Sequence, residues 1–157
     1  MARWLIYLRS RSPVGPYLIL CSGMALSGTV VAEGEFDLLR LAFSLGGLLL
    51  FFFLVRLMDE LKDFKKDLIA HPERPLPRGL LTTHEVLRAI GVLTALLFVH
   101  TFCIALVLNF IPALLFGGLS VYLLLMYKEF YVGSSLSKKP LLYALLHQIV
   151  LIPLGLY

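Results

Sequence analysis

Four acidic side chains lie within nine consecutive residues, and three of them recur at every fourth position: Asp59, Glu60, Asp63 and Asp67. A helix turns by about 100° per residue, so the spacing predicts all four carboxylates on one arc, with Arg56 one turn earlier. Carboxylates four residues apart repel each other, a cost that bound cations relieve. Because Mg²⁺ binds one or two carboxylates together with water and substrate phosphates, the spacing favours a diphosphate held through Mg²⁺ over a solvated amphipathic helix.

A proline-rich segment with two arginines follows the acidic residues. It reads His71-Pro72-Glu73-Arg74-Pro75-Leu76-Pro77-Arg78-Gly79. Prolines cannot continue a helix and keep the chain extended, so we expect a stiff loop here. On such a loop Arg74 and Arg78 could clamp phosphate oxygens. The alternative is an ordinary basic loop on the cytoplasmic side of a membrane.

The amino-acid composition indicates that these residues belong to a membrane protein. Hydrophobic residues make up 59% and charged residues 15% of the 157 positions, with a mean hydropathy of +0.89. A soluble domain of this length has too little interior for so many apolar side chains. The net charge of +4 comes from basic clusters between apolar runs, which excludes a nucleic-acid-binding stripe. Cys21 and Cys103 lie inside apolar runs and are interpreted as small hydrophobic residues.

The uncharged runs predict about five membrane helices of roughly 20 residues each. Their approximate bounds are 14–34, 38–57, 87–108, 111–127 and 140–157. The third and fourth helices must be separated near Asn109 and Pro112, since both residues favour turns. Thr82 or Thr83, with Glu85 in the first turn, is expected to cap the third helix. His100 and His147 fall inside apolar helices and are interpreted as packing residues.

Basic and acidic clusters alternate between the predicted helices and indicate the topology. Three clusters are basic and one is acidic. In chain order they are Arg3, Arg9 and Arg11 (basic); Glu33, Glu35 and Asp37 (acidic); Lys62, Lys65, Lys66, Arg74 and Arg78 (basic); and, after an uncharged turn, Lys128, Lys138 and Lys139 (basic). Basic loops remain in the cytoplasm. We therefore expect an integral protein of the bacterial inner membrane, with the N-terminus and the Asp-rich loop, residues 59–79, in the cytoplasm.

The acidic and proline-rich segments together resemble the first aspartate-rich motif of the UbiA-type intramembrane prenyltransferases. That family has N-D-x-x-D-x-x-x-D, then R-P-x-x-x-G, in the cytoplasmic loop after its second helix. Asp59 stands where the family usually has Asn, and Glu60 replaces its first Asp. The other motif positions match and are Asp63, Asp67, Arg74, Pro75 and Gly79.

The resemblance implies an all-α fold, a polytopic transmembrane helix bundle that forms the N-terminal half of a UbiA-like fold. The implied reaction is Mg²⁺-dependent transfer of a prenyl group from an isoprenoid diphosphate to an aromatic or lipid acceptor within the membrane, with no role for nucleic acid. Asp63 and Asp67 are then the catalytic residues. The implied metal ligands are Asp59, Glu60, Asp63 and Asp67, and the implied diphosphate ligands are Arg11, Arg74, Arg78 and Lys128.

The chain departs from the family in lacking a second aspartate-rich motif. After Asp67 its acidic residues are Glu73, Glu85 and Glu129, which form no D-x-x-x-D. We therefore expect residues 1–157 to be a single, incomplete transmembrane domain that needs a second half or a partner subunit for turnover. The alternatives are a non-catalytic membrane subunit and a truncated, inactive fragment. A CDP-alcohol phosphotransferase is excluded because its D-G-x-x-A-R opening is absent.

Overall fold

The computed structural model describes the backbone of residues 2–33 and 37–155, and the side chains of residues 2–30 and 37–155. Every regular element in these ranges is helical, which confirms the predicted all-α class. The helices are α1 (Ala2–Arg11), α2 (Val14–Glu33), α3 (Leu38–Lys62), α4 (Phe64–Ala70), α5 (Thr83–Val107), α6 (Phe110–Tyr127), α7 (Gly133–Leu136), α8 (Pro140–Gln148) and α9 (Leu151–Leu154). A 3₁₀ turn, Glu129–Tyr131, follows α6.

Three helices of the described chain have the length and apolar character of a membrane span, and a bent helix pair meets the same test when it is counted as one span. Helices α3, α5 and α6 each qualify alone, and α1 with most of α2 qualifies as one bent pair. These four agree with the first four predicted helices. The fifth predicted span forms the short helices α8 and α9 within Pro140–Leu154, and residues 156–157 lie outside the described ranges. An apolar stretch of this length falls short of the roughly 20 residues that a crossing requires.

The first span is bent by 63° between α1 and α2. Pro13 lies at this bend, where it offers no amide hydrogen and disfavours helical geometry at Ser12. Helix α1 therefore leaves the axis of α2. Its Arg3 pairs with Glu85 at the start of α5, and its last residue, Arg11, pairs with the end of α3. Helix α1 thus crosses one end of the bundle from α5 to α3.

Helix α3 lies at the centre of the packing. It contacts α2 and α5, and α6 packs mainly against α5. Leu54 and Leu57 of α3 are fully buried, as are Ile104 of α5 and Phe116 of α6. Other large apolar side chains of α5 and α6 remain exposed, including Phe102, Leu106, Phe110, Ile111 and Leu114. Lipid is the environment that such an apolar exterior requires.

The ends of α5 and α6 follow the predicted signals. Thr82 Oγ1 accepts a hydrogen bond from the backbone N–H of Glu85, and the Glu85 carboxylate accepts one from the backbone N–H of Thr82, which completes a capping box. Asn109 caps α6 by accepting from the N–H of Ile111. Both predicted boundaries are therefore confirmed. The loop between α4 and the Thr82 cap reaches the end of the bundle that α1 crosses, since the carbonyl of Leu80 accepts a hydrogen bond from Arg3 Nη1 at 3.4 Å.

Candidate functional site

Glu60, in the last turn of α3, is the most deeply buried acid in the described chain, at 1% exposure. Its Oε2 accepts hydrogen bonds from Arg11 Nε at 3.1 Å and from Arg56 Nη2 at 3.4 Å. Arg56 lies one turn earlier on α3, whereas Arg11 comes from α1. The carboxylate therefore joins two helices, and its charge is matched where an unpaired one would be strongly unfavourable.

Asp67, on α4, is the second buried carboxylate, at 4% exposure. Arg74 Nη1 donates a hydrogen bond to its Oδ1 at 2.5 Å. This hydrogen bond and the Arg74 charge hold the pKa of Asp67 below its usual range. Asp67 also faces the charge of Arg11, and Arg74 faces that of Glu60. We call these five side chains the arginine–carboxylate cluster: Arg11, Arg56, Glu60, Asp67 and Arg74.

The loop that carries Arg74 has a defined shape. The N–H groups of Leu80 and Leu81 both bond to the carbonyl of Pro75, at 2.8 and 3.4 Å. Leu76 and Leu81 are buried and anchor the loop to the core. The turn between them requires a positive φ of 75° at Gly79, a conformation that glycine adopts without strain. The family-like glycine thus closes the loop that positions the arginine.

Two carboxylate oxygens in the cluster have no hydrogen-bond partner among the described residues. They are Glu60 Oε1 and Asp67 Oδ2, both fully enclosed. Mg²⁺ takes one or two carboxylates and completes its shell with water and substrate phosphates, so these oxygens suit it chemically. Within the described ranges no three His, Cys, Asp or Glu side chains converge on a point that could hold a metal. The donors therefore fit a metal bound jointly with an anionic substrate, not a cage made of protein ligands alone.

Asp59 faces another environment, although it adjoins Glu60 in sequence. Its side chain is exposed and lines a cavity of about 10 Å³ together with Lys62 and His147. Lys62 Nζ lies 3.3 Å from Glu129 Oε1 and donates a hydrogen bond to Tyr143 Oη at 3.3 Å. These contacts join α3 to the 3₁₀ turn after α6 and to α8. Asp59 thus faces α6 and α8, although the charge of Arg56 also acts on it.

His147 contributes an unpaired nitrogen to this second face. Its Nδ1 lies 2.8 Å from the carbonyl oxygen of Tyr143. A carbonyl only accepts, so Nδ1 carries the hydrogen in this contact. Nε2 is enclosed and has no partner among the described residues.

The remaining predicted site residues lie outside the arginine–carboxylate cluster. Asp63 joins α3 to α4, is half exposed, and pairs with Lys66 at 3.6 Å. Arg78 is exposed on the loop. Lys128 caps α6 and lies 5.5 Å from the ring centroid of Tyr127. The helix is interrupted at Asp63, and the four carboxylates do not share the single arc that their spacing predicted.

Three polar side chains of this region were missed by sequence reasoning as site residues. Arg56 could have been found from its i, i+4 spacing to Glu60. Tyr7 of α1 is fully buried beside the cluster, and Ser12, at the bend, is 5% exposed. Nothing local in the sequence distinguishes these two from exposed interfacial residues, because their burial depends on how α1 folds back over α3.

Comparison with known proteins supports the interpretation of the motif. The profile of the UbiA prenyltransferase family matches residues 19–152, which include α3, α4 and the Arg74 loop. No curated protein and no solved structure matches the chain. The matched region covers well over half of the sequence and contains all the apolar spans apart from the start of the first. The chain is an integral membrane protein that belongs to the UbiA prenyltransferase family.

Proposed function

We propose that the chain binds an isoprenoid diphosphate through Mg²⁺ and serves transfer of its prenyl group to an aromatic or lipid acceptor within the membrane. Family membership supports prenyltransferase activity. The observation that carries the proposal is the pair of enclosed, unpartnered oxygens on Glu60 and Asp67, held among three arginines. Oxygens of this kind favour a cation, and the arginines favour the phosphates that accompany it.

Different side chains of the cluster would bind the metal and the phosphates. Glu60 and Asp67 would hold the metal, with Asp59 and Asp63 as further candidate ligands near by in sequence. Arg11 and Arg74 would bind phosphate oxygens, and Arg78 and Lys128 are candidates for the same role. When bound, Mg²⁺ would neutralise negative charge that develops on the departing diphosphate. The apolar faces of α2 and α3 would exclude water from the reacting carbon.

The test is direct binding of farnesyl diphosphate by the purified chain in detergent, with and without Mg²⁺. We expect Asp67→Asn to abolish the Mg²⁺-dependent part of the affinity, and Asp63→Asn, at the more exposed candidate ligand, to reduce it by a smaller factor. Glu73→Gln is the matched control, because Glu73 is an exposed carboxylate on the same loop (side chain 72% exposed). Undiminished Mg²⁺-dependent binding in both Asp variants would rule out the metal assignment.

A non-catalytic membrane subunit is the second candidate. It is favoured by one observation: both buried carboxylates already have arginine partners that link α1, α3 and the Arg74 loop without any ligand. Such links would stabilise the bundle in a protein that binds no diphosphate. A folded wild-type chain that binds no farnesyl diphosphate at any Mg²⁺ concentration would favour this candidate.

We also propose that the cluster lies on the cytoplasmic side of a bacterial inner membrane. The basic N-terminal helix, the Arg74 loop and the Lys128 region support this orientation. A membrane-impermeant maleimide should label Lys65→Cys only after cell lysis, and Glu35→Cys in intact cells, in a background with Cys21 and Cys103 replaced by alanine. Glu35 lies outside the described residues, so this comparison also tests the acidic loop. Equal labelling of both positions in intact cells would contradict the proposed topology.

A further inference from the structure

We propose that α1 forms part of the diphosphate site, with the hydroxyls of Tyr7 and Ser12 and the Nε–H of Arg56 donating hydrogen bonds to phosphoryl oxygens. The inference rests on the proposed function and extends it to a helix that precedes the family-matched residues 19–152. The proposed metal ligands are acceptor oxygens without a hydrogen-bond partner, whereas the groups proposed to bind the phosphates are donors without a partner.

The first observation is a set of enclosed donors that lack acceptors. Tyr7 is 0% exposed and Ser12 is 5% exposed. Tyr7 Oη, Ser12 Oγ and Arg56 Nε are each enclosed and have no hydrogen-bond partner among the described residues. Leaving one buried polar group unsatisfied costs about 1–3 kcal/mol. Three such groups in one region therefore indicate that an acceptor-rich ligand belongs there.

The second observation is that two of these donors, on Tyr7 and Arg56, lie near the same carboxylate, while Ser12 directly follows Arg11 and lines a cavity with Leu8 and Tyr17. Tyr7 lies one turn before Arg11 on α1, and Arg11 and Arg56 both bond to Glu60 Oε2. The charges facing the Tyr7 hydroxyl come from Glu60, Arg56 and Arg11, with Tyr17 also near. Tyr7 does not bond to Glu60, since Glu60 Oε1 and Tyr7 Oη are both unpartnered. The hydroxyl is thus free to donate elsewhere.

The local charge favours an anion over a neutral ligand. The arginine–carboxylate cluster contains three arginines and two carboxylates, which leaves one positive charge, and the exposed carboxylate of Asp59 also faces Arg56. Phosphoryl oxygens accept several hydrogen bonds at once, and charge-assisted hydrogen bonds of this kind are the strong ones. A diphosphate therefore satisfies both the donors and the residual charge.

The third observation is that α1 is held in place at both ends. Arg3 Nη2 lies 2.7 Å from Glu85 Oε1 at the start of α5, and Arg11 Nε lies 3.1 Å from Glu60 Oε2 on α3. Tyr7 lies between these two ion pairs, and its ring meets that of Trp4 edge-on at 5.7 Å. These contacts hold α1 in place, so the Tyr7 hydroxyl lies beside the arginines before any ligand binds.

The test measures binding of inorganic diphosphate with Mg²⁺ by calorimetry on the full chain in detergent. We expect Tyr7→Phe to weaken the affinity about tenfold, and Ser12→Ala to weaken it by a smaller factor, since each removes a hydrogen bond to a charged group. Tyr131→Phe is the control, because Tyr131 is an exposed tyrosine that follows α6, on another part of the chain. Its affinity should equal that of the wild type.

A structural role would change the stability of the ligand-free protein, whereas a binding role changes the stabilisation that diphosphate adds. We expect ligand-free Tyr7→Phe to unfold at or above the wild-type temperature, since an unsatisfied hydroxyl is removed, and to gain less from diphosphate. Wild-type affinity in both Tyr7→Phe and Ser12→Ala would overturn the inference. The two hydroxyls would then be hydrogen-bonded to water and not to diphosphate. If Asp67→Asn loses Mg²⁺-dependent binding in the same assay, the proposed function stands even though the role of the two hydroxyls does not. A wild-type chain that binds no diphosphate would overturn both.

Discussion

The two faces of α3 near its end differ sharply, although adjacent residues define them. Glu60 is enclosed, bonded to Arg11 and Arg56, and turned towards α1. Asp59 is exposed and turned towards α6 and α8, where it lines a small cavity with His147. The first face joins helices through paired charges and excludes solvent. The second face joins helices through Lys62, which is shared between Glu129 and Tyr143.

The difference shows that a carboxylate-rich motif does not give its members equal roles. Residues adjacent on a helix point about 100° apart, so they meet different neighbours. Glu60 and Asp67 lie in a low-exposure region with arginines, where a carboxylate interacts strongly with charge. Asp59 and Asp63 are more exposed, and solvent screens their interactions. Structural and ligand-binding effects should therefore be concentrated on the Glu60 face.

The largest expected effect is the loss of stability in Glu60→Ala. The substitution leaves two arginines that are only 18% and 22% exposed without their shared carboxylate. Removing one partner of a buried ion pair costs about 3–5 kcal/mol, and the partial exposure of the arginines places the expected loss near the lower limit. Unfolding in mixed micelles with increasing sodium dodecyl sulfate measures the change.

Asp59→Ala is the matched control on the second face. It removes an exposed carboxylate one residue away, and its effect should remain within about 0.5 kcal/mol. Glu60→Gln, which keeps the shape and loses the charge, should fall between the two. Equal losses in Glu60→Ala and Asp59→Ala would show that the two faces do not differ energetically.

A smaller loss of folding stability, which depends on pH, is expected for Asp67→Asn. The Arg74 hydrogen bond holds the pKa of folded Asp67 below the unfolded value of about 3.9. The carboxylate therefore stabilises the fold above about pH 4, and this contribution is lost as the pH falls through the lowered folded pKa. Asp67→Asn should cost about 1.5–3 kcal/mol at pH 7, the range for a hydrogen bond to a charged group.

The stability difference between wild type and Asp67→Asn should narrow progressively below pH 4. Unfolding in mixed micelles over a pH series measures it. Asp63→Asn is the control, because Asp63 is half exposed and its ion pair with Lys66 is worth about 0–1 kcal/mol. A difference for Asp67→Asn that stays constant from pH 7 to low pH would mean that the Arg74 contact does not favour the ionised form.

The apolar spans and their caps could be predicted because their signals are local. Uninterrupted apolar runs, Asn109, and Thr82 with Glu85 each act within a few residues, and α3, α5 and α6 follow them closely. The division of the acidic motif could not be predicted in this way. Whether a carboxylate on α3 is enclosed depends on α1, which is 49 residues away in sequence at the Arg11–Glu60 contact. The role of Tyr7 depends on the same tertiary contact.

The smallest expected loss of folding stability is that of Tyr143→Phe, on the second face. The substitution removes the hydroxyl that accepts a hydrogen bond from Lys62 at 3.3 Å, while Glu129 still lies 3.3 Å from the same ammonium group. The aromatic ring is retained, so its stacking on His147 at 4.1 Å should persist. A hydrogen bond of this kind contributes about 0.5–1.5 kcal/mol, and the remaining partner and the partial exposure of Lys62 place the expected loss near 0.5 kcal/mol. Tyr131→Phe, at an exposed tyrosine, is the control and should leave stability unchanged. A loss for Tyr143→Phe as large as that for Glu60→Ala would show that Lys62 is as dependent on its partners as the arginines of the first face, and the contrast between the two faces would not hold.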